Sequence, residues 1–450
     1  MVSGVVAAGV LSGAGTAVAD GRPQPEGGAA ATINGLKTYG QAVIHEDGVD
    51  QQVAAGLFEM SVDGGGTLQT YCVDIHSPTQ RDARYQETPW SSTSLGANKD
   101  AGRIRWILQN SYPQVNDLAA LARRAGAGGL TEQDAAAGTQ VAIWRYSDGA
   151  KVDAVDPQAE KLADFLEKSA RNSAEPQASL TLDPPEVSGR PGAVLGPVTV
   201  HTNAGGVTVV PPADAATSGV RIIDKTGKVI KSATDGSRLY FAVPKDAPAG
   251  SAQLTVQAST TVPVGRAFAS ESRSQTQILA GSSESTVSAT AGATWAAKGA
   301  IPAVSARKNC AAQGVDVTAT NKGDQPFTFR LMGAEHTIAA GASRTVTVPL
   351  QEDQAYDFTI TGPNGFSRRF TGILDCKTQG ALTTKSAQTL GEPSPATVGG
   401  NTNTTTTDTD LAATGGSAIT PMIAGVAIGL VVIGGAVLVV LRRKETQTEE

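Results

Sequence analysis

The chain has 450 residues, with 36 Lys plus Arg against 42 Asp plus Glu, so its net charge is -6 and no basic stripe marks it for nucleic acid. That length leaves room for two or three domains of ordinary size. Aromatic residues make up 4% while glycines number 51, which suits several modest β-domains better than one large core.

Residues 1–19, "MVSGVVAAGVLSGAGTAVA", are small and apolar and close on Ala17-Val18-Ala19, the small-x-small pattern of a secretory cleavage site. They predict a signal peptide with an incomplete n-region, and a mature chain that starts near Asp20. Residues 31–176 carry mixed patterns. "LFEMSV" and "LQTYCVDI" alternate like paired strands across the turn "DGGG", and "AGRIRWILQNSY" and "TEQDAAAGTQVAIWRYS" read as helices. Thr131 and Asp134 resemble a capping box, with Asp in place of the usual Glu. This segment is expected to be an α+β domain.

From 178 to 300 the pattern is strands alone. "LGPVTVHTN", "GVRIIDKTGKVI", "RLYFAVP" and "SAQLTVQAST" are short, β-branched and divided by turn residues, as in an immunoglobulin-like β-sandwich. A second, smaller all-β sandwich is expected over 303–378, where "VDVTAT", "FTFRLM", "RTVTVPL" and "YDFTIT" alternate with period two. Cys310 and Cys376 sit at its two ends, and in an oxidising exterior they most simply form a disulfide. Closing so long a loop contributes on the order of 4 kcal/mol to a domain this small.

Residues 379–410 form a Thr-, Pro- and Gly-rich stalk, with no apolar period after Ser386 and too little apolar surface to fold. Its last 25 residues would reach about 80 to 90 Å fully extended. Asp408 and Asp410 within it read as a solvated linker and not as a cation site. Then come "LAATG" at 411–415, an uncharged apolar run long enough to span a bilayer over 420–441, and the basic tail 442–450 that opens on "RRK". Basic residues stay inside, so the body of the chain is placed outside.

The chain has three cysteines, and a Cys310–Cys376 pair leaves Cys72 over. An exposed thiol outside the cell would be oxidised. Cys72 is therefore buried and inert, paired with another chain, or chemically occupied, and free cysteines are most often small buried hydrophobes. In "GTQVAIWRYSDG", Gln140 stands among Val141, Ala142, Ile143 and Trp144, where an amide is costly unless it is satisfied or consumed. A buried Cys and a buried Gln together suggest that the Cys72 sulfur attacks the Gln140 side-chain carbonyl, expels ammonia and leaves an internal thioester.

Two resemblances sharpen this reading. The order of pentapeptide, apolar span and basic tail resembles the cell-wall sorting signal of Gram-positive surface proteins in its LAxTG variant. That resemblance assigns Leu411, Ala412, Thr414 and Gly415 to a sortase. It implies cleavage after Thr414, an amide link to peptidoglycan, and contact with the membrane only before sorting, while the tail is cytoplasmic. "YCVD", "IRWILQNSYP" and "TQVAIW", together with Trp90 and Tyr112-Pro113, resemble the thioester domain of such proteins, also called the TQxA domain, over roughly residues 35–170. "LGPVTVHTN" and "SQTQILA" resemble the immunoglobulin-like module that accompanies it. The resemblance implies covalent adhesion by transfer of the Gln140 acyl group to an amine, such as a lysine, on a partner surface. Tyr71, Thr139, Trp106 and Trp144 are the candidates for the thioester pocket. The tryptophans would exclude water, and Thr139 with the backbone N–H groups around Tyr71 to Val73 would stabilise an oxyanion.

The fold class expected is therefore multi-domain, with an α+β thioester domain, two immunoglobulin-like sandwiches, a stalk and a transmembrane helix. No cofactor or metal is implied, because no HExxH or CxxC pattern occurs. A structural envelope protein, with the thioester merely stabilising or absent, is the rival reading. A cysteine hydrolase would need His76 as the base for Cys72, and residues four apart on a strand lie about 13 Å apart. The chain is not expected to be an enzyme.

Overall fold

The computed structural model describes residues 27–46 and 48–377. The leader at 1–19, the stalk at 379–410, the LAATG pentapeptide, the apolar span at 420–441 and the tail at 442–450 all lie outside the described residues. Among the described residues no helix is long and apolar enough to cross a membrane.

Seven strands form the first sheet, in the order Val49–Val62, Thr67–Cys72, Gln277–Ser282, Ala267–Ser270, Arg84–Thr88, Ala30–Glu46 and Val152–Ala154. Val49–Val62 also pairs with Ala30–Glu46 along nearly its full length, so the sheet returns on itself as a barrel. The turn between the second and third strands in the chain needs glycine. Gly64, Gly65 and Gly66 all have positive φ, and a Cβ on Gly66 would strike Ser285 and the Glu284 carbonyl.

Two of the barrel strands come from residues 267–282. The domain boundary expected near 176 therefore does not bound the barrel: "SQTQILA", read as part of the sandwich, supplies a strand to it. The physical reason is edge pairing. Thr67–Cys72 pairs with Val49–Val62 on one side only, and Gln277–Ser282 takes its other side, leaving no bare edge there. The join is anchored by the buried pair Arg266 and Glu87 at 2.9 Å. Arg266 also bonds Glu175, and Glu87 accepts the N–H groups of Ala29 and Ser179. Removing one partner of so buried a pair costs about 3–5 kcal/mol.

Four helices join this unit: Ala101–Asn110, Leu118–Ala125, Glu132–Ser147 and Pro157–Ser169. The first buries Ile104, Ile107 and Leu108 on one stripe, each worth about 1.5–3 kcal/mol. The third starts on a capping box in which Thr131 and Asp134 bond each other's backbone N–H groups. It is buried all round from Ala135 to Trp144. Gly138 makes its close approach possible, because a Cβ there would meet the Ala159 carbonyl of the fourth helix.

Residues 180–295 add a four-stranded and a five-stranded sheet. Their inward residues, among them Val198, Val200, Leu254 and Val256, belong to the same apolar cluster as the barrel. Residues 302–373 form a three-stranded sheet and two hairpins around a separate cluster centred on Phe327, Phe329, Ile360 and Phe370. Cys310 and Cys376 are joined there by a disulfide.

Candidate functional site

The ladder between Val49–Val62 and Thr67–Cys72 stops at Thr70. Beyond it the Cys72 main-chain N–H and C=O face the Glu132–Ser147 helix instead of the Val49–Val62 strand. The side chain of Gln140 fills the missing place. Cys72 N–H donates to Gln140 Oε1 at 3.0 Å, and Gln140 Nε2 donates to the Cys72 carbonyl at 2.9 Å. This two-point clamp answers how a glutamine survives in an apolar helix: both ends of its amide are satisfied. It also holds the Gln140 carbonyl carbon beside Cys72.

Cys72 is a buried free thiol. Burial pushes its pKa up to about 12, while hydrogen bonds from Gln277 and Thr79 act in the opposite direction. Gln277 faces Cys72 in the strand register, and its Nε2 donates to the sulfur at 3.3 Å. Thr70 fixes that amide by donating to Gln277 Oε1. The Thr79 hydroxyl lies 3.8 Å from the sulfur and accepts from both Gln275 and Gln277. Thr70, Thr79, Gln275 and Gln277 were not singled out by the sequence reading. The available signal was the alternation Gln275-x-Gln277, which brings two buried amides to the same side as the chain enters the strand Gln277–Ser282.

Cys72 and Gln140 line a cavity of about 210 Å³. Val53, Ala54, Phe58, Ile75, Pro78 and Trp144 supply apolar wall, and Asp74, His76, Thr79 and Gln275 the polar part. Two polar atoms of these lining residues are buried with no hydrogen-bond partner among the described residues, Trp144 Nε1 and Gln275 Oε1.

The other pocket candidates are placed elsewhere. Tyr71 neighbours Cys72 on a strand and so points to the opposite face, where its hydroxyl donates to the Tyr112 carbonyl. Thr139 spends its hydroxyl on the Ala135 carbonyl one turn back, so it is not an oxyanion donor. Trp106 is half-buried against the core and does not line the cavity. Trp90 donates its indole N–H to the Gly265 carbonyl, tying the barrel to the returning segment. His76 lies past the end of the strand, and its ring pairs with Glu46 at 3.2 Å. Among the described residues no imidazole bonds the Cys72 sulfur, and no group of side chains suits a metal ion.

The arrangement has defined chemical capacity. A thiol and an amide carbonyl polarised by that thiol residue's own N–H, in one cavity, have the groups that acyl transfer to sulfur needs. The same N–H stays aimed at the oxygen on which charge develops, and Gln277 is placed to bear charge on the departing sulfur.

Residues 69–172 match the family model described as the thioester domain. Residues 302–373 match the model for the bacterial phospholipase C, C-terminal domain. No curated protein matches the chain. Among solved structures, it is similar to the Bacillus anthracis TIE protein at 14% identity, with 78% of this chain and 81% of that one covered and a TM-score of 0.27. The thioester domain of the Enterococcus faecium TIE86 protein is similar at 16% identity, with 60% and 96% covered and a TM-score of 0.28.

Proposed function

We propose that this thioester-domain chain is a covalent adhesin of a Gram-positive surface, in which Cys72 and Gln140 close into an internal thioester that acylates an amine on a partner. In closure, the Cys72 sulfur bonds to the Gln140 side-chain carbonyl carbon, and the amide nitrogen leaves as ammonia with the thiol proton. In transfer, the amine nitrogen takes the acyl group, the carbon–sulfur bond breaks, and a proton from the nitrogen ends on sulfur. Each molecule acts once, which is binding and not turnover. Sortase linkage through Thr414 would hold the product to peptidoglycan, as the LAATG segment suggests.

The single observation that carries the reading is the clamp between the Gln140 amide and the Cys72 main chain, with both residues lining one apolar-walled cavity. The thioester-domain match over residues 69–172 supports it independently. The test is the intact mass of the secreted chain before and after methylamine, alongside Cys72→Ala and Gln140→Ala. The expected result is a wild-type mass one ammonia below the sequence mass, a gain of one methylamine, and full sequence mass for both variants. A full wild-type mass with a titratable thiol would sink the proposal. A mass deficit that methylamine does not fill would leave the thioester as a structural cross-link.

A further inference from the structure

We infer that Gln275 is the residue that receives the incoming amine, holding one of its N–H groups and thereby selecting primary amines among nucleophiles. This rests on the thioester reading above. Gln275 is only 7% exposed, yet its Oε1 has no hydrogen-bond partner among the described residues. An unpaired buried acceptor is destabilising unless something arrives to use it.

The rest of Gln275 is fixed. Its main-chain N–H donates to the Pro78 carbonyl, its own carbonyl accepts from the Tyr85 hydroxyl, and Nε2 donates to Thr79 at 2.9 Å. Thr79 in turn stands beside the Cys72 sulfur. The free oxygen is thus held on the wall of the cavity that contains the reacting pair, on a side chain with little freedom to turn away.

A neutral primary amine has one lone pair and two N–H groups. The lone pair must face the Gln140 carbonyl carbon, and one proton must finally reach sulfur. The remaining N–H needs an acceptor within the cavity, and Gln275 Oε1 supplies one. Trp144 Nε1, the other unpaired atom, cannot take this part. A donor would hydrogen-bond to the lone pair and quench the nucleophile. A thiol nucleophile carries no N–H and gains nothing from Gln275, so the residue discriminates by chemistry as well as by space.

The test compares two nucleophiles on the full chain, methylamine and ethanethiol, each followed by mass. Gln275→Met keeps the length and removes the acceptor, and the ratio of amine rate to thiol rate is expected to fall about tenfold, the worth of one hydrogen bond. Gln275→Glu restores an acceptor while removing the donor to Thr79, and its ratio should stay near that of wild type. Equal loss of both rates in Gln275→Met would make Gln275 a structural support and overturn the inference. If Gln275→Met forms no thioester, Gln275→Glu decides alone, and a tenfold fall of its ratio overturns it. Absence of the ammonia deficit in wild type would instead remove the thioester reading, so the two failures are distinguishable.

Discussion

The barrel and the C-terminal unit use cysteine in opposite ways. In residues 302–376 two cysteines close a loop, and the small cluster around Phe327 and Phe370 is held by a covalent bond. In the barrel a single cysteine stays a free thiol, and among the described residues its sulfur hydrogen-bonds to an amide and a hydroxyl group. One region spends its sulfur on stability. The other keeps a sulfur in reserve beside an amide, inside a core large enough not to need a staple. The lesson is that burial alone does not make a cysteine inert: what matters is which polar groups are buried with it.

The sharpest way to break the contrast is to remove what the barrel borrows. A fragment ending at residue 176 lacks two of the seven strands together with Gln275 and Gln277. It is expected to lose cooperative unfolding and to show full sequence mass, whereas the chain through residue 377 shows both folding and the ammonia deficit. Circular dichroism and intact mass check this. Next in size, Cys310→Ser with Cys376→Ser should lower the stability of the C-terminal unit by about 4 kcal/mol and leave the barrel's mass deficit unchanged. Denaturant melts read by the barrel's tryptophans and by mass separate the two regions.

A smaller effect is expected from Gln277→Leu. It removes the donor on the sulfur, so the thiolate leaves less readily and methylamine uptake should slow about tenfold, with the thioester still formed. A rate equal to wild type would show that Gln277 only fills space.

The remaining effect concerns pH. Burial, reinforced by the nearby Asp74 and Glu46, pushes the Asp148 carboxyl up to about 8. The unfolded chain releases that proton near 4, so the folded state binds more protons between about pH 4 and 8. Stability from this group is therefore full below about pH 4 and is lost as pH rises to about 8. The barrel should melt higher at pH 5 than at pH 8, and Asp148→Asn should flatten that slope.

Much of this site was legible because its signals are local. The capping box of Thr131 and Asp134, the apolar surround of Gln140 and the alternation ending in Cys72 each sit within a few residues. Tyr71 and Thr139 were misplaced for a physical reason. Nearness in sequence puts the first on the opposite face of its strand, and the second has its hydroxyl turned back along its helix. Gln275 and Gln277 offered only their alternation, because they meet Cys72 and Thr79 across a long separation in sequence that no local pattern encodes. The helices at Leu118–Ala125 and Pro157–Ser169 were also not singled out, although Asp117 and Asp156 cap them in the ordinary way.

The strand from Gln277 to Ser282 also sets a clock. Gln277 follows Cys72 by 205 residues, and both must be present before the sulfur has its full set of neighbours. A chain synthesised N-terminus first presents Cys72 and Gln140 long before the barrel can close. Contacts so distant in sequence form late. On the proposed reading the electrophile would be assembled only once the intervening sheets have emerged and the barrel has closed, and until then an amine would find an ordinary amide and thiol.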